Sequence, residues 1–296
     1  ASTPLALIAK TEEALQQLQS KGAETAWLDL AEASEAAVAP NAARLGFVAA
    51  SPVEAVALLQ TALAMLEKKQ EAWSHPRGIH YRSSALPADA KVVALFSGQG
   101  AQYPGMGKEL VNAFPPLRAA FDKMDRLFHE DGREPLSRTV FPIPVFSETE
   151  RRAQKAALTQ TKYAQPAIGT LSMGLYKILR EAGFKADFTA GHSFGELTAL
   201  WAAGVYDDDT FLALAKARGE AMAATAGSDS GAMLAVKAPY EQVESTVQSI
   251  TGLTIANVNS PTQVVLGGSK AVIGEVETRL KSQGMTVIPL PVSAAF

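Results

Sequence analysis

Apolar residues recur at intervals of three and four along Val56, Leu59, Leu63 and Leu66, and again along Ile168, Leu171, Leu175 and Ile178. A helix turns once in about 3.6 residues, so each set forms one buried stripe. Ser51-Pro52-Val53-Glu54 marks the start of the first helix: Ser51 can cap, Pro52 suits the first turn and Glu54 closes a capping box. Pro166 marks the start of the second, and Gly183 its end. A third stripe, Leu117, Phe121, Met124 and Leu127, predicts a helix over Pro115 to Phe128. Thr11 to Gly22 is also helical in pattern after the short apolar run Leu5 to Ile8, while Thr25 to Leu30 and Leu45 to Ala49 read as strands.

Val92 to Phe96 reads as a buried strand leading into the glycine-rich stretch Ser97 to Gly107. Gly132 to Gln160, with Pro135, Pro142 and Pro144 and a charged run from Glu148 to Lys155, reads as an irregular surface excursion. Phe188 to Ala190 is a short strand, followed by helices through Leu197, Leu200 and Trp201 and through Phe211, Leu214, Ala215 and Met222. From Gly231 the pattern changes. Strands at Ala232–Val236, Leu253–Val258, Gln263–Gly267 and Met285–Leu290 alternate with helices at Pro239–Ile250 and Ala271–Lys281. That order is the β-α-β-β-α-β of the ferredoxin-like split motif.

The 296 residues, 47% of them hydrophobic, suffice for two or three domains. No apolar run approaches the roughly 20 residues that span a membrane. The absence of cysteine excludes disulfides, thiolate metal sites and a cysteine nucleophile, and fits a cytoplasmic protein. A net charge of −3 argues against a nucleic-acid or other polyanion binder. The four histidines, His75, His80, His129 and His192, form no zinc-ligand spacing. Gln70 to Pro87, with Trp73, His75, Arg77, His80, Tyr81 and Arg82, reads as a connector that packs its aromatics against a neighbouring domain.

The strongest chemical signal is Gly191-His192-Ser193-Phe194-Gly195, set between a strand and a helix that begins at Glu196. Gly-x-Ser-x-Gly in that setting is a nucleophile elbow, whose small neighbours permit a turn sharp enough to present the serine hydroxyl. The Ser97–Gly107 loop lacks the lysine of a phosphate-binding P-loop, and Tyr103 stands where a dinucleotide fingerprint needs its third glycine. Two readings of it remain: backbone N–H groups facing a small anionic centre, with Gln99 and Gln102 orienting substrate or water, or an ordinary strand-to-helix loop. Arg218 falls on the apolar stripe of its helix. A buried arginine needs a partner, and spacing alone leaves open a structural ion pair or a bound carboxylate.

Six ordered stretches resemble the acyl-CoA:acyl-carrier-protein acyltransferases of fatty-acid, polyketide and polyunsaturated fatty-acid synthases. They are Phe96 to Gln102, Tyr163 to Ala167, Gly191 to Glu196, Ala217-Arg218-Gly219, Asn257 to Pro261 and Pro291-Val292-Ser293. The resemblance implies an α/β fold: an α/β-hydrolase-like large subdomain over residues 90–229, an inserted ferredoxin-like subdomain over 230–291, and a return to the large subdomain at 292–296. Residues 1–89 are similar to the α/β linker domain between ketosynthase and acyltransferase, and Trp73 to Arg82 resembles most the polyunsaturated fatty-acid type.

The resemblance further implies that Ser193 is acylated from malonyl-CoA. The Gln99 and Phe194 N–H groups would form the oxyanion hole, and Arg218 would pair with the malonyl carboxylate. His192, Gln165 and Phe296 would line the substrate pocket, with Phe194 and Phe296 favouring malonyl. No cofactor is bound; the acceptor is the phosphopantetheine thiol of an acyl carrier protein, and a neighbouring ketosynthase belongs to the same synthase. The family's histidine base is expected to follow Phe296 directly, so the 296-residue chain alone is expected to be weakly active or inactive. A serine esterase or thioesterase, and a non-catalytic scaffold segment, are the alternatives.

Overall fold

The computed structural model describes residues 1–36, 38–69, 71–87, 89–224 and 231–290. The chain divides into two compact units, Ala1–Ala90 and Lys91–Phe296.

The first unit contains α1 (Pro4–Leu18), α2 (Ala23–Ser34), β1 (Arg44–Gly46), α3 (Pro52–Leu66), β2 (Trp73–His75) and β3 (Ile79–Arg82). Its three strands are antiparallel in the order β1-β3-β2. Ser51 caps α3 by accepting from the Glu54 N–H, while Glu54 Oε2 reaches back to the Ala50 N–H, one residue beyond the usual capping box. Two expectations fail here. The run Leu5–Ile8 belongs to α1, which Thr3 caps ahead of Pro4, the same Ser/Thr-Pro start as at Ser51. Thr25–Leu30 is helical, within α2; Ala26, Trp27 and Leu30 face the core, and their intervals of four and three suit a helix.

Of the stretch read as a connector, residues 71–87 are no bare link. They form the β2–β3 hairpin, turned by Gly78 at φ 75°. Trp73 and Tyr81 pack their rings 5.7 Å apart in this unit's own core with Leu58, Leu66 and Ile79.

The second unit opens with β4 (Val93–Phe96) and five helices: α4 (Lys108–Ala113), α5 (Pro115–Glu130), α6 (Leu136–Val140), α7 (Glu148–Thr159) and α8 (Thr161–Glu181). Then come β5 (Phe188–Gly191), α9 (Phe194–Ala202) and α10 (Asp208–Ala224). β4 and β5 pair in parallel. Their burial alternates: Ala94 and Phe96 are buried while Val93 and Leu95 are exposed, so the strand expected to be wholly buried covers only one face. Central helix α8 packs against α5, α9 and α10.

Four further expectations need correction. The 132–160 excursion contains α6 and α7. Ser147 caps α7 by accepting from the Glu150 N–H, so Ser147-x-x-Glu150 was a helix start concealed in the charged run. Helix α8 begins at Thr161, five residues before Pro166. A proline in the second turn removes a single hydrogen bond, and the helix absorbs it under the burial of Ala164, Gln165 and Ile168. Helix α9 begins at Phe194 rather than Glu196. On α10 the buried side chain is Leu212, and Leu214 is exposed.

The last part comprises β6 (Ala232–Lys237), α11 (Tyr240–Val247), β7 (Leu253–Ser260), β8 (Gln263–Gly268), α12 (Lys270–Ser282) and β9 (Thr286–Pro289). All its strand pairs are antiparallel, in the order β7-β8-β6-β9. Both helices bury Val243, Val247, Ile273, Val276 and Leu280 against Leu234, Val236, Val264 and Leu266, one face of the sheet. The expected boundaries at 229/230 and 291/292 lie outside the described residues.

Candidate active site

Ser193 sits where β5 ends and α9 starts. Its φ of 53° makes it the one non-glycine residue with positive φ among those described, a conformation that costs about 1–3 kcal/mol and persists only where the surroundings enforce it. Glycines do the enforcing. A β-carbon on Gly195 would lie 2.2 Å from the carbonyl oxygen of Phe96, and one on Gly98 would lie 2.4 Å from that of His192. The His192 N–H continues the parallel pairing by donating to the Phe96 carbonyl at 3.1 Å, which locks the turn to the end of β4. The Ser193 side chain caps nothing in α9.

The glycine-rich loop after β4 is the second wall. Among the described residues, neither the Gln99 nor the Phe194 backbone N–H donates to a protein acceptor. Phe194 opens α9, where the first N–H groups of a helix have no intrahelical acceptor and the dipole favours negative charge. The two N–H groups named as an oxyanion hole are therefore unspent. The glutamine side chains behave otherwise than expected. Gln102 Oε1 accepts from the Gly100 N–H at 2.8 Å and so braces its own loop. Gln99 Nε2 donates to Thr161 Oγ1 at 3.2 Å, and its Oε1 accepts from Gln165 Nε2 at 3.4 Å. These amides hold the loop against the first turns of α8.

Gln165 is 1% exposed; its Nε2 also contacts Met222 Sδ at 3.2 Å, and its Oε1 is buried without a partner. Helix α10 meets α8 at Gly219, where a β-carbon would stand 2.9 Å from the Thr161 carbonyl oxygen. Arg218 is the residue just before Gly219. It is half-buried, its Nη1 is buried with no partner, and no carboxylate pairs with it among the described residues. Burial pushes the guanidinium below its usual pKa, and the charge of Glu196, three residues after Ser193, acts against that shift. The structural ion pair left open by the helical spacing is thus not formed, and a buried donor near the elbow remains to be satisfied.

The Phe194 ring is fully buried, packed against Gly169 and near Phe211, so the side chain expected to favour malonyl belongs to the core beneath the turn. His192 is exposed and shares a hydrogen bond of 2.9 Å between its Nε2 and Asn259 Oδ1 of β7. Phe296, and with it Pro291-Val292-Ser293, lies outside the described residues. His75 and His80 belong to the first unit, and His129 lies in the last turn of α5. Among the described residues no group of histidine, aspartate and glutamate could hold a metal ion, and no helix is long and apolar enough to cross a membrane. Sequence reasoning missed Thr161 and Asn259. Thr161 fell between the excursion ending at Gln160 and the helix start at Pro166, and Asn259 within a motif quoted whole.

The family profile for the acyl transferase domain matches residues 93–296. The chain is 34% identical over 270 residues to a polyunsaturated fatty acid synthase polypeptide of Thraustochytrium sp., a match covering 88% of this chain and 10% of that protein. It is 34% identical over 207 residues to the malonyl CoA-acyl carrier protein transacylase of Synechocystis sp., covering 70% of this chain and 64% of that protein. Among solved structures, the acyltransferase domain from the second module of the salinomycin polyketide synthase superposes with a TM-score of 0.67 at 31% identity, covering 94% of this chain and 63% of that one.

Proposed function

The chain belongs to the acyl transferase domain family, and we propose that it moves a malonyl group from coenzyme A, through an ester on Ser193, to the phosphopantetheine thiol of an acyl carrier protein. Ser193 Oγ attacks the thioester carbonyl, its proton passes to a base, and coenzyme A leaves as the thiol. The carrier thiol then attacks the ester and frees the serine. The developing oxyanion is held by the unspent Gln99 and Phe194 N–H groups. Arg218 takes the distal carboxylate of the malonyl group, while Gln165 and His192 line the acyl site.

The observation that carries this reading is the buried, partnerless Nη1 of Arg218 within the field of Glu196. A plain esterase has no use for a buried guanidinium, whereas a carboxylated acyl group completes it. The elbow between β5 and α9 and the strand order β7-β8-β6-β9 support a hydrolase-like subdomain carrying a ferredoxin-like one. The separate first unit supports a linker that joins this domain to a ketosynthase in the same synthase. Malonyl transfer in that setting serves fatty-acid or polyketide synthesis.

The test is incubation with malonyl-CoA, peptide mapping, then addition of a phosphopantetheinylated carrier protein. A malonyl adduct on the Ser193 peptide that passes to the carrier is expected. Free malonate without carrier loading would favour a hydrolase, and no adduct even in a protein extended past Phe296 would leave a scaffold.

A further inference from the structure

The hydrogen bond between His192 and Asn259 joins the elbow to the β7 strand, and the register of β7 shows how it arises. Ile255 pairs with Leu266 and Asn257 with Val265; Val258 pairs with Val264 and Ser260 with Gln263. Each step on β8 is thus met by an extra residue on β7, first Ala256 and then Asn259. A bulged residue leaves the ladder and its side chain is re-aimed, a device found beside functional sites. Asn259 is such a residue, and its re-aimed amide oxygen meets the imidazole Nε2 at 2.9 Å.

The other end of the imidazole faces the glycine-rich loop. A β-carbon on Gly98 would come within 3.4 Å of His192 Nδ1 and 2.4 Å of its carbonyl oxygen, so the ring lies against the loop that carries Gln99. An amide oxygen only accepts, so the nitrogen facing it must carry the proton. In the neutral ring Nδ1 is then the bare acceptor.

We propose that Asn259 is a positioning residue: it holds His192 as the Nε2–H tautomer and presents an unprotonated Nδ1 beside the glycine-rich loop. Its meaning for catalysis rests on the acyl-transfer reading, in which this ring borders the acyl site. The two bulges of β7 then have a purpose, since a regular strand would fix Asn259 by the pleat.

The experiment is nitrogen NMR on the full chain labelled at histidine, recorded at a pH above the imidazole titration, with the His192 signals assigned by their loss in His192→Gln. The native protein should show the Nε2–H pattern, Asn259→Ala should show a mixture of tautomers, and Asn259→Asp, which keeps an acceptor, should retain the native pattern. In parallel, Asn259→Ala should slow malonylation of Ser193 by about two- to tenfold, the range expected for one hydrogen bond. An Nδ1–H pattern in the native protein, or a His192 pattern unchanged by Asn259→Ala, overturns the proposal. The expected change in tautomer with no Ser193 adduct in either protein upholds the positioning role and counts against acyl transfer.

Discussion

Gly191 and Gly195 lie so close together that a β-carbon on Gly191 would stand 2.0 Å from the carbonyl carbon and oxygen of Gly195. The contacts are with backbone, which cannot swing aside as a side-chain tip can. Gly191→Ala should therefore destabilise the protein by about 1–3 kcal/mol or more, the range for overpacking, and displace the elbow. Gly274 is the control: it is exposed within α12 and a β-carbon there meets nothing within 4 Å. Gly274→Ala should stabilise by about 0.5–1 kcal/mol. Urea unfolding of the two variants decides it.

The backbone of Ser193 predicts an order among its substitutions. Ser193→Ala and Ser193→Gly both remove the hydroxyl, and neither should form a malonyl adduct. Only glycine relieves the positive φ. Ser193→Gly should be the more stable of the two by about 1 kcal/mol, the strain relieved exceeding the added chain entropy. Thermal unfolding compares them directly, and equal stability would show that the turn stores no strain.

Arg218 is expected to matter for selection far more than for folding. Removing Arg218 takes away a hydrogen bond to a charged group, worth about 1.5–3 kcal/mol. Arg218→Ala should thus lower the preference for malonyl-CoA over acetyl-CoA by about 10- to 150-fold. Because its Nη1 is buried without a partner, Arg218→Met should unfold at or above the native temperature. Parallel acylation rates with the two thioesters read the first effect, and unchanged selectivity would remove Arg218 from substrate binding.

One carboxylate predicts a limb of the pH–stability curve. Burial raises the Asp208 carboxyl, but hydrogen bonds from Lys177 and from Trp201 Nε1 outweigh it and leave Asp208 below the ordinary carboxylate value. A group whose folded pKa is depressed contributes stability above its unfolded pKa and loses it as the pH falls through the folded one. The native protein should exceed Asp208→Asn by a constant margin at neutral pH, and that margin should shrink below about pH 4. Urea midpoints across that range measure it; a margin independent of pH would mean that Asp208 acts through shape alone.

What the sequence makes legible follows from how local each signal is. The elbow could be read because Gly191, Ser193 and Gly195 answer a local need, a turn too tight for side chains. The β6-to-β9 region could be read because its strands include short apolar runs, its helices each keep one buried stripe, and glycines such as Gly252 and Gly284 stand just before β7 and β9. Thr25–Leu30 misled because a six-residue window with three large apolar residues, Trp27, Leu28 and Leu30, fits either period. Pro166 misled because a proline commonly bounds a helix, whereas the packing of α8 among α5, α9 and α10 outweighs one lost hydrogen bond. The contacts of Asn259 with His192 and of Thr161 with Gln99 span 67 and 62 residues. Partners that far apart are set by folding, and no local pattern announces them.

Gly219 carries a consequence for anyone redesigning this domain. It lets α10 touch the Thr161 carbonyl, and Thr161 in turn holds Gln99. The helix that carries Arg218 and the loop that carries Gln99 are thereby mechanically joined. If α10 selects the acyl group as proposed above, swapping its side chains to admit a bulkier unit is expected to shift the loop as well, coupling substrate scope to turnover. Libraries that vary positions around Arg218 should vary Thr161 and Gln99 in the same round.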